Sequence, residues 1–199
     1  YYAASEAEAF SDWGGAGAQL AGLGGRVDKE SFEAILKGVL PGGHQIGNAD
    51  ARAHGTDLTF SMPKSASLLA LVSGDKRLLE ANRESVRATM QWVEANLAET
   101  RLRRDGKAVP VRTGNLVYAL FEHDTSRALD PQAHIHVIIA NLTRLPEDLR
   151  AAMPTDTVAR HPRAEGWRAW HNGAIWRANT VIGSIYHAHL RERIEELGY

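Results

Sequence analysis

The chain contains no cysteine in its 199 residues, which excludes disulfides and a thiolate nucleophile and leaves the redox compartment open. It has no run of about 18 or more apolar residues and no charged-then-apolar leader at its start, so membrane insertion is not expected and the segment reads as soluble and cytoplasmic. Nor does it carry an excess of positive charge: 23 Lys and Arg against 24 Asp and Glu give a net charge of −1. That balance argues against a general polyanion binder, so any nucleic-acid site has to be a focused patch. An initiator methionine is missing as well. The chain opens on Tyr1-Tyr2, as expected of a piece of something longer. The mixed composition fits one globular domain that buries a sizeable core.

What is present is a readable series of elements. YYAASEAEAFSDW is helix-compatible and GGAGAQLAGLGG is too glycine-rich for one regular element, giving a short helix and then a loop. DKESFEAILKGVL sets Phe32, Ile35, Leu36 and Val39 on one helical face, stopped by Pro41-Gly42-Gly43. A polar loop, GHQIGNADARAHG, leads into DLTFSM at residues 57–62, whose alternation marks a half-buried strand. Pro63 ends it and SASLLALVSG starts a helix. Leu79, Val86, Met90, Val93 and Leu97 then recur at helical spacing from about Lys76 to about Thr100. In RLRRDGKAVPVR the turn dipeptide Asp105-Gly106 predicts a basic hairpin. NLVYALFEH and HIHVIIANL follow as strands, and residues 143–166 read as irregular surface. The last helix, from about Asn179 to Leu197, puts Ile182, Ile185, Tyr186, Leu190 and Ile194 on one side, with Asn179 to cap it and Gly198 to end it. Helices interleave with strands on short connections, which predicts an α/β fold with a central antiparallel sheet flanked by helices.

The sharpest chemical signal is His123 followed eleven positions later by His134-Ile135-His136. On a strand, residues i and i+2 point to the same face, so His134 and His136 form half of a chelate. His123 ends the neighbouring strand and supplies a third imidazole. Such a set suits zinc, nickel, copper, iron or manganese and leaves coordination positions open for Lewis-acid chemistry. The competing reading is three hydrogen-bonded core histidines. A second pair, His187 and His189, has the same spacing on a helix, where residues two apart diverge by roughly 200 degrees, so these cannot chelate together.

Other candidates are weaker taken singly. Tyr1 or Tyr2 could attack phosphorus and form a covalent link, although a phenol with an ordinary pKa of about 10 needs help losing its proton. Asp57, at the head of a strand, could orient a metal-bound histidine or accept that proton, or simply be a turn residue. Lys64 and Ser65 at a helix start, and Arg127 between the histidine strands, could contact phosphate. Arg101, Arg103, Arg104, Lys107 and Arg112 form a basic patch. Trp167, Trp170 and Trp176 lie among Arg168, His171 and Arg177, a mixture suited to unstacked bases, with core tryptophans as the alternative.

Taken together, a tyrosine pair, GLGGRVDKESFEAILKGVLPGG, DLTFSMPKSASLLALVSGDKR and TGNLVYALFEHDTSRALDPQAHIHVIIAN resemble the conjugative relaxases of the TraI and TrwC type, the MobF group of HUH endonucleases. The resemblance spans almost the whole chain and weakens between Arg144 and Gly166. It implies an HUH fold and a relaxase (DNA strand transferase) domain over residues 1–199 that lacks its extreme N-terminus and its C-terminal part, with a helicase following. The implied activity is site- and strand-specific nicking of single-stranded plasmid transfer-origin DNA through a 5′-phosphotyrosyl intermediate that can later be reversed. Non-cleaving DNA binding on the same fold, or a three-histidine hydrolase or oxygenase, are the alternatives. By the resemblance His123, His134 and His136 are metal ligands, for magnesium or manganese with zinc or nickel possible. Asp57 supports them. Tyr1-Tyr2, by their distance from Trp13, resemble the downstream of two tyrosine pairs, with the upstream pair, credited with initial nicking, lying before this chain; the resemblance thus implies that Tyr1 or Tyr2 is the nucleophile of a second cleavage or of termination, or of nicking in a variant with one pair. Relaxosome accessory proteins and a type IV secretion coupling protein are the implied partners.

Overall fold

The alternation that makes DLTFSM and HIHVIIA read as strands puts one residue set on each face of a sheet, and both faces are covered. The computed structural model describes residues 10–47, 54–151 and 166–199. In chain order these form β1 (Ser11–Gly14), α1 (Ala16–Ala21), α2 (Lys29–Leu36), β2 (Val39–Leu40), β3 (His44–Gln45), β4 (Gly55–Ser61), α3 (Lys64–Leu71), α4 (Arg77–Leu97), β5 (Glu99–Arg104), β6 (Lys107–Arg112), β7 (Tyr118–Thr125), β8 (Pro131–Ala140), β9 (Thr143–Arg144), α5 (Glu147–Ala151), β10 (Trp167–Arg168), α6 (Gly173–Arg177) and α7 (Asn179–Glu196). The central sheet has the order β1-β7-β8-β4 and is antiparallel throughout.

On one face Leu58, Phe60, Leu120, Ile135, Val137 and Ile139 pack with Leu78, Val86, Met90 and Val93 of α4 and Ile182, Tyr186 and Leu190 of α7. On the other, Trp13, Ala119, Phe121 and Ile138 pack with Phe32 and Ile35 of α2. His134 and His136 alternate with Ile135 and Val137, so they share the face of the second, smaller cluster. The large core is therefore built on the side away from the histidines.

Several local expectations change in tertiary context. Ser11–Gly14 is a strand, because it finds the open edge of β7 with Trp13 opposite Ala119. The glycine-rich stretch does contain a helix, α1, capped from a distance: the Ala16 amide donates to Glu94 Oε1 at 2.8 Å. The glycines allow this approach, since a Cβ on Gly17 would stand 2.5 Å from the Leu116 carbonyl oxygen. Val39 leaves the helical face because Gly38, at φ 80°, ends the turn and sends Val39–Leu40 into a strand. The long helix is Arg77–Leu97, and Thr100 belongs to β5. Asn179 is the first residue of α7 without a capping bond, as the helix follows directly on α6. Within the expected irregular stretch, Thr143 is buried: its hydroxyl donates to the Asn115 carbonyl at 2.7 Å and pairs with the Thr113 hydroxyl at 2.6 Å, and β9 pairs with β10.

Candidate metal centre

The three histidines meet because of register. His123 on β7 stands directly opposite His134 on β8, and His136 lies opposite Phe121 on one side and Thr59 of β4 on the other. Ring centroids are 5.3 Å apart for His123 and His134, and 5.1 Å for each of the other two pairs. Between His123 and Thr125 the ladder slips: Thr125 pairs with Pro131, so Gln132 and Ala133 together oppose Asp124 alone. A bulge of this kind turns side chains out of the regular pleat and bends a strand end.

The slip brings the Gln132 carbonyl to 3.0 Å from His134 Nδ1. A carbonyl can only accept, so Nδ1 carries the proton and the Nε2 lone pair of His134 is left for a ligand. His136 Nδ1 donates to the Asp57 carboxylate, 2.8 Å from Oδ2 and 3.1 Å from Oδ1, with Thr59 Oγ1 3.2 Å from the same nitrogen. With the proton on Nδ1, the ring's lone pair is on Nε2. Carboxylates and carbonyls behind the distal ring nitrogen are what fixes tautomer and orientation in histidine metal sites. This donor chemistry fits a divalent ion held through Nε2 atoms. Among the described residues, no group of three or more His, Asp or Glu side chains stands in a geometry that could hold a metal ion. The inner wall of the cluster is apolar: Phe121, next to His136 across the ladder, packs edge-on against Phe32 at 5.1 Å.

The remaining candidates fall at different places. Tyr1 and Tyr2 lie outside the described residues. Lys64 opens α3, and its ammonium donates to the Pro131 carbonyl at 3.1 Å, at the histidine end of β8. Ser65 is exposed beside it. Arg127 is exposed in the β7–β8 loop, where the Ser126 hydroxyl accepts from the Ala128 and Asp130 amides. The basic hairpin forms as expected, β5 with β6, turning at Asp105 and Gly106, both at positive φ. Its root adjoins the segment leading to Asn172, which reaches Thr56 at the end of β4 remote from Ser61. Of the tryptophans, Trp167 and Trp170 are core residues, and Trp176 is 57% exposed. His187 and His189 lie on α7, as helical divergence required.

Sequence reasoning did not find Thr59 or Gln132 as partners of the histidines. The alternation places Thr59 on the Asp57 face, but only the register sets it opposite His136.

The family model described as TrwC relaxase matches residues 1–199. The chain belongs to the TrwC relaxase family. It is 41% identical over 191 residues to the multifunctional conjugation protein TraI of Escherichia coli, an overlap of 94% of this chain and 10% of that protein. Among solved family members it resembles a copper-bound complex of the conjugative relaxase TrwC with oriT DNA, with a TM-score of 0.80 and 38% identity over 100% of this chain and 63% of that one. It also resembles TrwC complexed with a 27-mer DNA comprising the recognition hairpin and the cleavage site, with a TM-score of 0.79, 38% identity and 95% and 63% coverage. The chain thus spans about a tenth of the curated relatives it matches and under two thirds of the solved ones. The mixed α/β fold with its antiparallel sheet is the TrwC relaxase fold. No helix among the described residues is long and apolar enough to cross a membrane.

Proposed function

We propose that residues 1–199 form a relaxase domain that nicks and rejoins single-stranded transfer-origin DNA, site- and strand-specifically, to initiate and terminate conjugative transfer. Family membership supports the substrate class, since the related TrwC is solved in complex with oriT DNA. The observation that carries the chemistry is the pair of imidazoles whose Nδ1 atoms are engaged, by Asp57 and by the Gln132 carbonyl, leaving two Nε2 atoms of one cluster as ligands. His123, His134 and His136 would hold the ion, magnesium or manganese, with zinc or nickel able to take its place; copper is the metal in one TrwC complex. An ion held there would supply Lewis-acid stabilisation of the charge that develops on the phosphate.

The chain's own groups do the rest. The phenolic oxygen of Tyr1 or Tyr2 attacks phosphorus, the P–O3′ bond breaks, and the departing 3′-oxygen takes up a proton. The tyrosine ester of the 5′-phosphate keeps the bond energy, so the reverse attack rejoins the strand without nucleotide hydrolysis. Asp57 holds His136 and, with its side chain 34% exposed, is open to accept the phenolic proton. The described chain enters the sheet at Phe10, whose carbonyl accepts from Glu122 next to His123. The seven residues between Tyr2 and Phe10 give the tyrosines a reach of up to roughly 27 Å from that point. The domain would act in the cytoplasm, with relaxosome accessory proteins and a type IV secretion coupling protein as partners.

The test is incubation of a labelled single-stranded origin oligonucleotide with manganese or magnesium, followed by denaturing electrophoresis. A protein–DNA adduct that is lost in His134→Ala and mapped by Tyr1→Phe and Tyr2→Phe is the expected result. Binding without cleavage would leave a DNA-binding module on this fold. Cleavage without an adduct would make water the nucleophile.

A further inference from the structure

Beyond Ser61 the ladder between β4 and β8 closes in an irregular way. Ser61 stands opposite His134, and the amide of the next residue, Met62, donates to the Ala133 carbonyl at 3.0 Å. A regular antiparallel pair would return a second bond, from the Ala133 amide to the Met62 carbonyl. Here a hydroxyl stands between those two groups. Ser67 Oγ accepts from the Ala133 amide at 3.2 Å and donates to the Met62 carbonyl at 3.4 Å. Ser67 belongs to α3 and is fully buried.

The residue held in this way is half of the bulge. Gln132 and Ala133 together oppose Asp124, so the β7 side of the ladder does not place them one to one. On the β4 side Ala133 is fixed by Met62 and Ser67, and its neighbour Gln132 turns its carbonyl to His134 Nδ1 at 3.0 Å. The helix grips the same segment again through Lys64, whose ammonium donates to the Pro131 carbonyl at 3.1 Å. Both neighbours of Gln132 are thus tied to α3. The ties differ in weight. Lys64 is exposed and its bond competes with water, whereas the Ser67 bridge is buried, where an unpaired N–H is costly. Although α3 contributes Ala66 and Ala70 to the larger cluster, on the face away from the histidines, the link runs along the backbone of β8 and ends on the histidine itself.

We infer that Ser67 is a positioning residue for His134: its hydroxyl, spliced into the ladder, holds the bulge so that the Gln132 carbonyl keeps the proton on Nδ1 and the lone pair on Nε2. This rests on the reading that the three histidines hold a divalent ion. Without the hydroxyl, Ala133 and Met62 either close to a direct bond, drawing Gln132 with them, or leave a buried N–H unpaired. Either way the carbonyl that orients the ring loses its anchor.

The test uses the intact protein and two readouts: the tautomer of His134 in the ion-free protein, from long-range proton–nitrogen NMR spectra at one fixed alkaline pH, and manganese affinity by calorimetry. The wild type should show the Nδ1-protonated ring. Ser67→Ala should mix the two tautomers and weaken manganese binding by about tenfold. Ser67→Thr keeps the hydroxyl and should restore both. Ser85→Ala removes an equally buried hydroxyl, one that bonds back to the Ala81 carbonyl of its own helix at 2.6 Å, and should leave both readouts as in the wild type. A wild-type tautomer in Ser67→Ala, whatever its affinity, or equal losses in Ser85→Ala would overturn the positioning role. A wild type that binds no manganese, with the tautomer still mixed in Ser67→Ala, would overturn the metal reading and leave Ser67 as the group that sets the ring.

Discussion

His136 uses one ring nitrogen to meet both Asp57 and Thr59, and those contacts do not weigh equally. The carboxylate is charged and at 2.8 Å, so it governs the tautomer, while the Thr59 hydroxyl at 3.2 Å shares the same proton. Asp57→Ala should therefore weaken manganese binding by about 10- to 100-fold, read by isothermal titration calorimetry. Thr59→Val should cost clearly less than Asp57→Ala, and equal losses would mean that the hydroxyl, not the charge, sets the ring. The shared face of His134 and His136 could be found by spacing because period-two projection is a local rule. Their supports could not, because Gln132 contributes a backbone carbonyl and Thr59 acts from another strand.

Among the elements, α1 and α7 show the same residue with opposite consequences. Gly17 in α1 lies against the Leu116 backbone, where a Cβ would meet the carbonyl oxygen at 2.5 Å, whereas a Cβ on Gly183 in α7 meets nothing within 4 Å. Gly17→Ala should thus destabilise by about 1–3 kcal/mol through overpacking, and Gly183→Ala should stabilise by about 0.5–1 kcal/mol through helix propensity. Denaturant unfolding measures both. Glu94, which joins α4 to α1 and to the start of β7 by accepting from the Ala16 and Leu116 amides, is buried, and that desolvation raises its carboxyl above the ordinary value of 4.5, the amide hydrogen bonds opposing it. A raised folded-state value means the native state binds more protons, so stability is lost as pH climbs from the unfolded value through the folded one. Relative to Glu94→Gln, the wild type should lose ground as pH rises above the ordinary glutamate value, and a pH-independent difference would contradict this. None of this was legible in the glycine-rich stretch, which by local propensity reads as a loop.

Across the whole molecule, the basic ribbon and the histidine cluster are set apart: β5 and β6 are rooted toward the Thr56 end of β4, and the histidines lie at the Ser61 end. With a net charge of −1, long-range attraction for DNA has to come from such a local patch. Arg103→Ala and Lys107→Ala should each weaken oligonucleotide binding evenly across sequences and lower the slope of log affinity against log salt by about one, without changing manganese affinity. Anisotropy titrations at several salt concentrations decide it. A slope that does not move would place the DNA elsewhere.

The sequence by itself determined whatever depends on neighbours a few residues away: the two faces of β4 and β8, the stripe of α4, the Asp105-Gly106 turn, the projection of His134 and His136 to one face, and, through its motifs, the family. Tertiary structure alone decided what depends on partners far along the chain. It made Ser11–Gly14 an edge strand, held α1 by a carboxylate 78 residues away, buried Thr143, and put Asp57, Thr59 and His123 around two histidines. The division follows from physics. Backbone periodicity fixes which way a side chain points within its own element, but only strand register and long-range packing fix what it meets there.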